Sequence, residues 1–428
     1  MIVRFTVDPS WQRFGRVVLA GSPLRLFRLT AVGADVADRL EARVELGPGV
    51  TASTLITRLL DAGAIHPLPP NDATSTTHHV DDVTVVTPQL GGAAHDDGRL
   101  TVDDGSSPPI PAATLRLGRN RGPAAARNAA RPLIETPLVV FMDADVSVAD
   151  PTWFADLLWH FDDPRLGLVA PRVRGEHGSP LDLGDRPARV RSGTRVAYVP
   201  AAALIVRVDA LDDVGWFDER LRFGEDVDLV WRLDEAGWRC RYDPSVSVDH
   251  EPRRSWPARV RQHAAYGTSA APLALRHPGA LSPLHVNGWT ATAWATAIAG
   301  SVPIAATLAL GSSLALVRKL PDVPSRSAVW LALRGHLLAG RQIASATRRV
   351  WWPIALAASL VSRRARWWTV IAVLSDVRSA PTDVAYGWGV WSSMRRLRTT
   401  DPIVPRLSAW PGRQPRPEGP SGRQPRPG

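Results

Sequence analysis

Short apolar runs that end directly in polar or acidic residues are the feature of this sequence that most limits its fold. The runs begin at Val83, Leu100, Leu115 and Leu138, and segments with helical character separate several of them. Runs of this length without polar alternation indicate strands buried on both faces, as in mostly parallel sheets covered by helices. We therefore predict an α/β domain over residues 83–275, with a mixed, mostly parallel sheet.

Two of the predicted strands are followed at once by carboxylates. Asp103 and Asp104 follow the second run, and Asp143 and Asp145 follow the fourth. Because ligands of such sheets bind beyond the carboxyl ends of the strands, we expect both pairs to face one crevice. Carboxylates at 103–104 can accept hydrogen bonds from a nucleobase or a ribose, although this Asp-Asp-Gly-Ser segment by itself could be only a turn.

The Asp143-Ala144-Asp145 segment is the strongest local signal. Alternate carboxylates beyond a buried strand suit a hard divalent cation that also binds phosphate oxygens. We therefore expect Mg²⁺ or Mn²⁺ on Asp145. His250 ends a later strand-like run and could contact the metal or the phosphate groups.

Further charged residues lie near two predicted helix starts. The Gly122-Pro123 turn leads into an alanine-rich helix, from which Arg127 could reach a phosphate unless it is an ordinary surface arginine. Glu225 or Asp226 could accept a proton from a hydroxyl group, or could only stabilise the start of its helix. Asp228 is expected to be solvated.

In this order the motifs resemble those of the family-2 inverting glycosyltransferases, which have the GT-A fold. The match covers about residues 83–270 and consists of Val-Thr-Val-Val-Thr-Pro, Val-Asp-Asp-Gly-Ser, Asn-Arg-Gly with Ala-Arg-Asn, Phe-Met-Asp-Ala-Asp and Gly-Glu-Asp-Val-Asp-Leu-Val-Trp-Arg-Leu. The resemblance implies transfer of a sugar from a nucleotide-sugar donor. It also implies roles for individual residues: Asp226 as the base with Glu225 beside it, Asp145 on the metal, and Thr87, Pro88, Asp103 or Asp104, Arg127 and Asp143 on the nucleotide sugar.

The layout of the whole chain resembles one group of that family, the glycosyltransferases of the mycofactocin system. The segments that carry this resemblance are Ser22–Thr30, Tyr198–Arg207 and Tyr266–Arg276. It implies UDP-glucose as donor, a peptide-derived redox cofactor (mycofactocin) as acceptor and a short β-linked oligosaccharide as product.

Two alternatives stay open at this point. One is a polyprenyl-phosphate or cell-envelope sugar transferase, which shares the motifs. The other is an inactive homologue that only binds a UDP-sugar, because residues 89–98 are fewer than usual in the family and too few for a covering helix.

The chain changes character on both sides of this domain. Residues 1–70 predict a small winged-helix-like α+β domain, with one helix capped by Thr30 and another capped by Thr51 or Thr54. Residues 71–82 predict a linker, 276–400 a helical, membrane-associated region, and 401–428 a disordered tail that repeats Gly-Arg-Gln-Pro-Arg-Pro.

Residues 286–317 contain no charged side chain. This run is long enough for a membrane helix, although Pro303 lies inside it. A buried pair of soluble helices would look similar. Tryptophans and arginines alternate over 348–368, as at a lipid interface. With one cysteine, Cys240, and no signal peptide, we predict a location at the cytoplasmic face of the cell membrane, with the cytoplasm as the alternative. The net charge is +10, but the sequence contains no nucleic-acid recognition motif, so no nucleic-acid partner is expected.

Overall fold

The computed structural model describes residues 4–51, 53–70, 76–93, 97–175, 179, 181–250 and 255–408. The repeats of the predicted tail, at 412–427, lie outside these residues. The chain forms two compact units, Met1–Ala280 and Leu281–Gly428, and each is described by itself.

The first unit begins with a small α+β part that has its own core. Its elements are β1 (Phe5–Val7), β2 (Gln12–Phe14), β3 (Val17–Ala20), β4 (Arg25–Arg28), α1 (Ala31–Glu41), α2 (Pro48–Thr51), α3 (Thr54–Asp61) and β5 (Ile65–Pro67). Strands β2, β3 and β4 form one antiparallel sheet, and β1 pairs with β5. Val18, Phe27, Leu40 and Ile56 lie in the core beneath them.

Side-chain caps fix where the two longer helices of this part begin. Thr30 caps α1 as predicted, because its hydroxyl accepts the Gly33 N–H at 3.1 Å. The prediction for α3 was wrong: Ser53, not Thr51 or Thr54, has the extended backbone of a cap and accepts the Ile56 N–H. The strands and helices agree with an α+β part, and its winged-helix character stays a prediction.

The rest of the first unit is built on a nine-stranded sheet, counted over the part of the chain that the structure describes. The strands are β6 (Val83–Gln89), β7 (Leu100–Asp103), β8 (Leu115–Arg116), β9 (Leu138–Met142), β10 (Val146–Ser147), β11 (Leu166–Arg174), β12 (Ala188–Val190), β13 (Ala203–Arg207) and β14 (Arg239–His250). The helices are α4 (Pro123–Ala129), α5 (Val208–Val214), α6 (Glu225–Glu235), α7 (Trp256–Gly267) and α8 (Ala270–Arg276).

The sheet is mixed and mostly parallel, as predicted. Its order is β10-β14-β11-β13-β9-β6-β7-β8, with β12 also on β14. The ladders β9-β6-β7-β8 and β11-β14 are parallel, whereas β10, β12 and β13 run against them. Strand β9 is buried along its whole length, which explains its continuous apolar sequence. The acidic ends of β7 and β9 therefore lie at one edge of the sheet.

The second unit is mainly helical. Its elements are β15 (His285–Asn287), α9 (Gly288–Ile298), α10 (Val302–Lys319), α11 (Ser325–Arg349), α12 (Trp352–Val361), α13 (Arg363–Leu374), α14 (Ala380–Leu397) and β16 (Arg406–Ser408). One helix in the described residues, α10, is long and apolar enough to cross a membrane by length and composition alone.

The uncharged run 286–317 is divided between two helices. Helix α9 ends at Ile298 and α10 begins at Val302. Pro303 therefore lies in the first turn of α10 and does not kink a longer helix. The alternative of a buried helix pair is wrong for α10, because only 6% of its apolar window is buried. The tryptophans of this region differ in exposure: Trp351 and Trp368, like Trp294, are partly buried and pack against the core of the unit, whereas Trp367 is exposed.

Candidate active site

Helix α4 is the element that connects the acidic motifs of the first unit. Ala124, Ala125 and Ala126 are buried, and side chains this small let the helix lie close to β6 and β7. Asp104 accepts hydrogen bonds from the N–H groups of residues 121 and 122 at its start, at 2.7 and 2.8 Å. Near its end, Arg127 contacts the other two motifs.

Arg127 is buried between two carboxylates from distant parts of the chain. Its guanidinium donates to Asp143 at 2.7 Å and to Glu225 at 3.1 Å, and lies over the ring of Phe217. Burial opposes its charge, but the two carboxylates outweigh burial and raise the pKa of Arg127. Only 2% of the Arg127 side chain is exposed, and its two terminal nitrogens already donate to Asp143 and Glu225, so the structure does not present the free guanidinium that was expected to reach a phosphate.

The Asp-Asp-Gly-Ser turn gives its two aspartates different environments. Asp103 has no exposed surface, and its carboxylate accepts the N–H groups of Ser106 and Ile110 and an ion pair from Arg116. The carboxylate of Asp103 therefore holds the turn together in this structure and is not open to a ligand. Asp104 stays the candidate of the pair. Gly105 has a positive φ of 74°, and a Cβ there would lie 2.3 Å from the backbone of Arg119, so the turn requires glycine.

Glu225 and Asp226 occupy the first turn of α6, where the helix dipole favours negative charge. Glu225 is buried, and burial followed by the neighbouring Asp226 raises its pKa to about 7. Asp226 is half-buried and accepts the N–H of Val227 at 2.8 Å and that of Ala201 at 3.4 Å. Burial also raises the pKa of Asp226. A carboxylate with a raised pKa is a more effective proton acceptor, and Asp226 is the more exposed of the two.

The segment before β13 joins these acids to the end of β9. Asp143 donates its N–H to the carbonyl of Ala202 at 2.9 Å, and Arg127 donates to the carbonyl of Ala201. The Asp143 pKa is raised by burial, which Arg127 only partly offsets. Asp143, Glu225, Asp226 and Arg127 thus form one cluster, which we call the acid cluster.

Asp145 and His250 lie together beside the acid cluster. Strand β14 pairs with β10 so that His250 is opposite Val146, and its Nε2 comes within 3.4 Å of the Asp145 carboxylate. Asp145 is the open member of the pair, with 64% of its side chain exposed. The buried Nδ1 of His250 has no hydrogen-bond partner among the described residues, which exclude 251–254. The sequence predicted both residues for a metal, and the structure brings them together.

Strand β6 and the short segment after it form one side of the crevice at this edge of the sheet, which we call the wall. Gln89, which the sequence did not indicate, holds the segment in place. Thr87 is fully buried and Pro88 half-buried on β6, opposite Thr101 and Val102. Gln89 donates its amide to the carbonyls of Gly91 and Ala93, at 2.9 and 2.7 Å. Residues 90–93 and 97–99, which the structure describes between β6 and β7, contain no helix. The hydroxyl of Thr87 is buried without a partner in the described chain.

The sequence also missed a buried charge network behind the acid cluster. Asp228, which was expected to be solvated, has no exposed surface and pairs with Arg232 at 2.7 Å and His277 at 3.1 Å. His277 also contacts Glu235 at 2.8 Å. Burial lowers the pKa of His277, but the two carboxylates outweigh it and the net shift is upward. The Asp228–Arg232 spacing of four residues on a helix was the available signal.

Comparison with known proteins agrees with this arrangement of motifs. Residues 109–268 match the family described as "Glycosyltransferase like family 2". The chain is 36% identical to the pre-mycofactocin glycosyltransferase of Mycobacterium tuberculosis, over 92% of this chain and 95% of that protein. It is 32% identical to the N-acetylglucosaminyl-diphospho-decaprenol L-rhamnosyltransferase of the same species, over 36% of this chain and 58% of that protein.

Among solved structures, the mannosyltransferase PcManGT from Pyrobaculum calidifontis, in complex with GDP-Man and Mn²⁺, is 20% identical and covers 74% of this chain and 88% of that chain. Its TM-score is 0.39. The sequence identity over nearly the whole chain is decisive by itself. The protein is a glycosyltransferase of family 2, in the same group as the pre-mycofactocin glycosyltransferase of M. tuberculosis.

Proposed function

We propose that the protein transfers glucose from UDP-glucose to a peptide-derived redox cofactor of the mycofactocin type, and builds a short β-linked oligosaccharide by repeating the step. The name of the relative that matches nearly the whole chain supports the acceptor. One observation in the structure carries the chemistry. Arg127 brings Asp143, from the end of β9, and Glu225, beside Asp226, into a single cluster.

Asp226 is the proposed base. Its carboxylate takes the proton of the acceptor hydroxyl while that oxygen attacks the anomeric carbon of the donor. The bond from the anomeric carbon to the diphosphate breaks, and UDP leaves with the bonding electrons. Attack on the face opposite the leaving group converts an α-linked donor into a β-glycoside.

The Asp145–His250 pair fits a divalent cation as a partial set of protein ligands. One exposed carboxylate and one imidazole leave room for phosphate oxygens and water, and a carboxylate with phosphate oxygens and water is the usual ligand set of Mg²⁺ beside phosphates. No group of three or more His, Cys, Asp or Glu side chains able to hold a metal occurs in the described residues, so the substrate would have to complete the site. When bound, Mg²⁺ or Mn²⁺ would neutralise the charge of the departing diphosphate.

The nucleotide is proposed to lie between Asp104 and Asp143, along the wall that carries Thr87 and Pro88. Asp104 anchors the start of α4 through both oxygens, and each oxygen keeps a second lone pair for a ligand. The unpartnered hydroxyl of Thr87 supports a polar ligand near this wall. We further propose that the enzyme works at the cytoplasmic face of the cell membrane, which the exposed apolar helix α10 supports.

The test is transfer with the purified full-length protein, UDP-glucose, Mn²⁺ and the peptide-derived acceptor, followed by mass spectrometry. We expect products that differ by whole hexose units. Asp226→Asn should lower the rate by about 10²–10⁴-fold and still bind UDP, as expected for removal of a general base. Asp209→Asn, at an exposed position in the first turn of α5, is the control and should retain full activity.

Two outcomes would redirect the assignment. Full turnover by Asp226→Asn would exclude it as the base. UDP binding without transfer to any acceptor by the unaltered protein would favour an inactive homologue.

A polyprenyl-linked acceptor is the second candidate. Two observations favour it: the exposed apolar helices, and the match to the rhamnosyltransferase, whose name states that a decaprenol-linked sugar is its acceptor. It predicts a product that partitions into organic solvent, whereas a peptide-derived product stays in water.

A further inference from the structure

We propose that the C-terminal unit binds the surface of an anionic lipid bilayer through the hairpin of α12 and α13, with Arg363 and Arg366 on the lipid phosphates. The inference goes beyond the proposed membrane location, because it names the contacting surface, the charge of the lipid and the depth of insertion. It does not depend on the identity of the donor or the acceptor.

The charge of the protein is distributed unequally between the two units. Residues 281–428 contain 19 of the 51 basic residues and only 5 of the 41 acidic ones, a net charge of +14. Residues 1–280 have 32 basic and 36 acidic residues, a net charge of −4. The basic excess of the whole chain therefore lies in the C-terminal unit. A basic excess of this kind is attracted to anionic phospholipid.

The same unit exposes many large apolar side chains on its helices. The most exposed are Leu360 and Val361 at the end of α12, which are 85% and 90% exposed. Other apolar side chains on these helices that are more than half exposed are Val302, Ile304, Leu310, Leu314, Trp330, Leu337, Ile354, Leu356, Trp367, Ile371, Leu374 and Trp388. An exposed apolar surface of this extent is unusual on a water-soluble protein and indicates that something binds to it.

Three arginines and a tryptophan lie directly beside the exposed end of α12. Arg364 hydrogen-bonds the carbonyl of Ala299 and so holds the hairpin to the turn between α9 and α10. Arg363 and Arg366 are exposed, three residues apart on α13, and have no acidic partner among the described residues. With Trp367 and Val370 they line an open cavity of about 390 Å³.

The combination of exposed arginines, tryptophan and apolar side chains fits a lipid surface better than a second copy of this chain. Arginine and tryptophan each have an apolar body and a polar end, so both suit the level of the lipid headgroups. A second copy of the chain, related by two-fold symmetry, would present the same arginines to one another. Such a contact would place like charges together, whereas lipid phosphates would neutralise them.

The dimensions indicate insertion at the interface without crossing. Helices α12 and α13 have 10 and 12 residues, which is about 15–18 Å and far less than the roughly 30 Å of a hydrocarbon core. Helix α10 is long enough, but it packs against α11, which carries the exposed Arg326, Arg334 and Arg341 along its length. The charges on α11 favour a position at the surface for the pair.

Binding of the full-length protein to vesicles tests the proposal, without donor or acceptor present. We expect tight binding to vesicles of phosphatidylglycerol and phosphatidylcholine in equal parts, and weak binding to phosphatidylcholine alone. Each arginine at an anionic surface strengthens binding by about fivefold, so R363Q/R366Q should bind about 30-fold more weakly. The control R395Q/R396Q removes two exposed arginines from α14 and should lose much less.

A probe of depth gives a second measurement that does not depend on charge. Cys240 is buried, so an environment-sensitive fluorophore on V361C will report from the hairpin alone. Its emission should shift to shorter wavelength when anionic vesicles are added. The same fluorophore on V32C, at a valine 73% exposed on α1, should not shift.

Three results would overturn the proposal. They are equal losses in R363Q/R366Q and R395Q/R396Q, no emission shift at residue 361, or a lipid-free dimer that buries the hairpin. Transfer activity separates this inference from the proposed function. Absence of vesicle binding with normal transfer rejects only the lipid surface, and absence of transfer with normal vesicle binding rejects only the proposed reaction.

Discussion

Replacement of Arg127 by methionine tests whether one buried arginine holds the acid cluster together. Methionine keeps much of the side-chain length but removes the charge and all the donors. Glu225, with 9% of its side chain exposed, would then lose its cation in a buried position. Asp143 would lose its cation at a position that is 34% exposed, where water can replace part of the interaction.

The expected magnitude follows from this difference in exposure. Loss of one partner from a buried ion pair costs about 3–5 kcal/mol. Because water can reach Asp143, we expect the lower end, about 3 kcal/mol. For a unit of this size, each kcal/mol lost from the free energy of unfolding lowers the melting temperature by about 2 °C. The Arg127→Met variant should therefore melt at a temperature about 6 °C lower.

Arg131→Met is the matched control, because the two arginines have similar partners and different exposure. Arg131 binds both oxygens of Asp212 and lies over the ring of Trp216, as Arg127 lies over Phe217. Its side chain is 41% exposed, so the same substitution should cost at most about 1 kcal/mol. Scanning calorimetry of the full-length variants measures both values.

The activity of these variants gives the second measure. Without Arg127, the pKa values of Glu225 and Asp226 should rise further, so that less of the proposed base is ionised at neutral pH. Arg127→Lys keeps one charge but lacks the planar guanidinium that binds two carboxylates, so we expect intermediate stability and activity. Equal stability losses in Arg127→Met and Arg131→Met would refute the reasoning.

Three further predictions follow from the same region. The rate of transfer should rise as the pH increases through neutrality, because burial raises the pKa of both Glu225 and Asp226 and the proposed base Asp226 must be ionised before it can accept a proton; a pH profile that is flat in this range would contradict it. Because the folded state raises the pKa of His277, its stabilising effect should be complete below about pH 6.5 and decrease at higher pH, so His277→Gln should lower the melting temperature more in acid than in alkaline buffer. Gly224→Ala should reduce activity strongly, because φ is 77° and the new Cβ would lie 2.9 Å from Leu273, whereas Gly215→Ala, with φ 82° and open space, should show only the backbone cost of about 1 kcal/mol.

The sequence predicted those parts of the site that depend on neighbouring residues. A buried run followed at once by Asp143 and Asp145 requires no knowledge of distant contacts, and the same holds for Asp103 and Asp104. The sheet was predictable for a similar reason, because the length and continuity of each apolar run are local properties.

The parts that the sequence did not predict depend on pairing between distant residues. Arg127 looked like a free phosphate ligand because neither Asp143 nor Glu225 is near it in the chain. Asp228 looked solvated because its partner His277 comes from the end of α8. The break at Ala299–Ser301 was also missed, since an uncharged alanine-rich run does not itself indicate where one helix ends.

The way Gln89 fastens the short segment after β6 has a consequence for altering the enzyme. Residues 89–93 are held by Gln89 and by Ser106, which accepts the Gly91 N–H at 2.7 Å, and none of these bonds involves the acid cluster. This segment can therefore be lengthened or exchanged without removing a bond that supports the acid cluster. The supports of the proposed donor wall are thus separate from those of the proposed catalytic acids, so the two can be altered independently, beginning with residues 90–93.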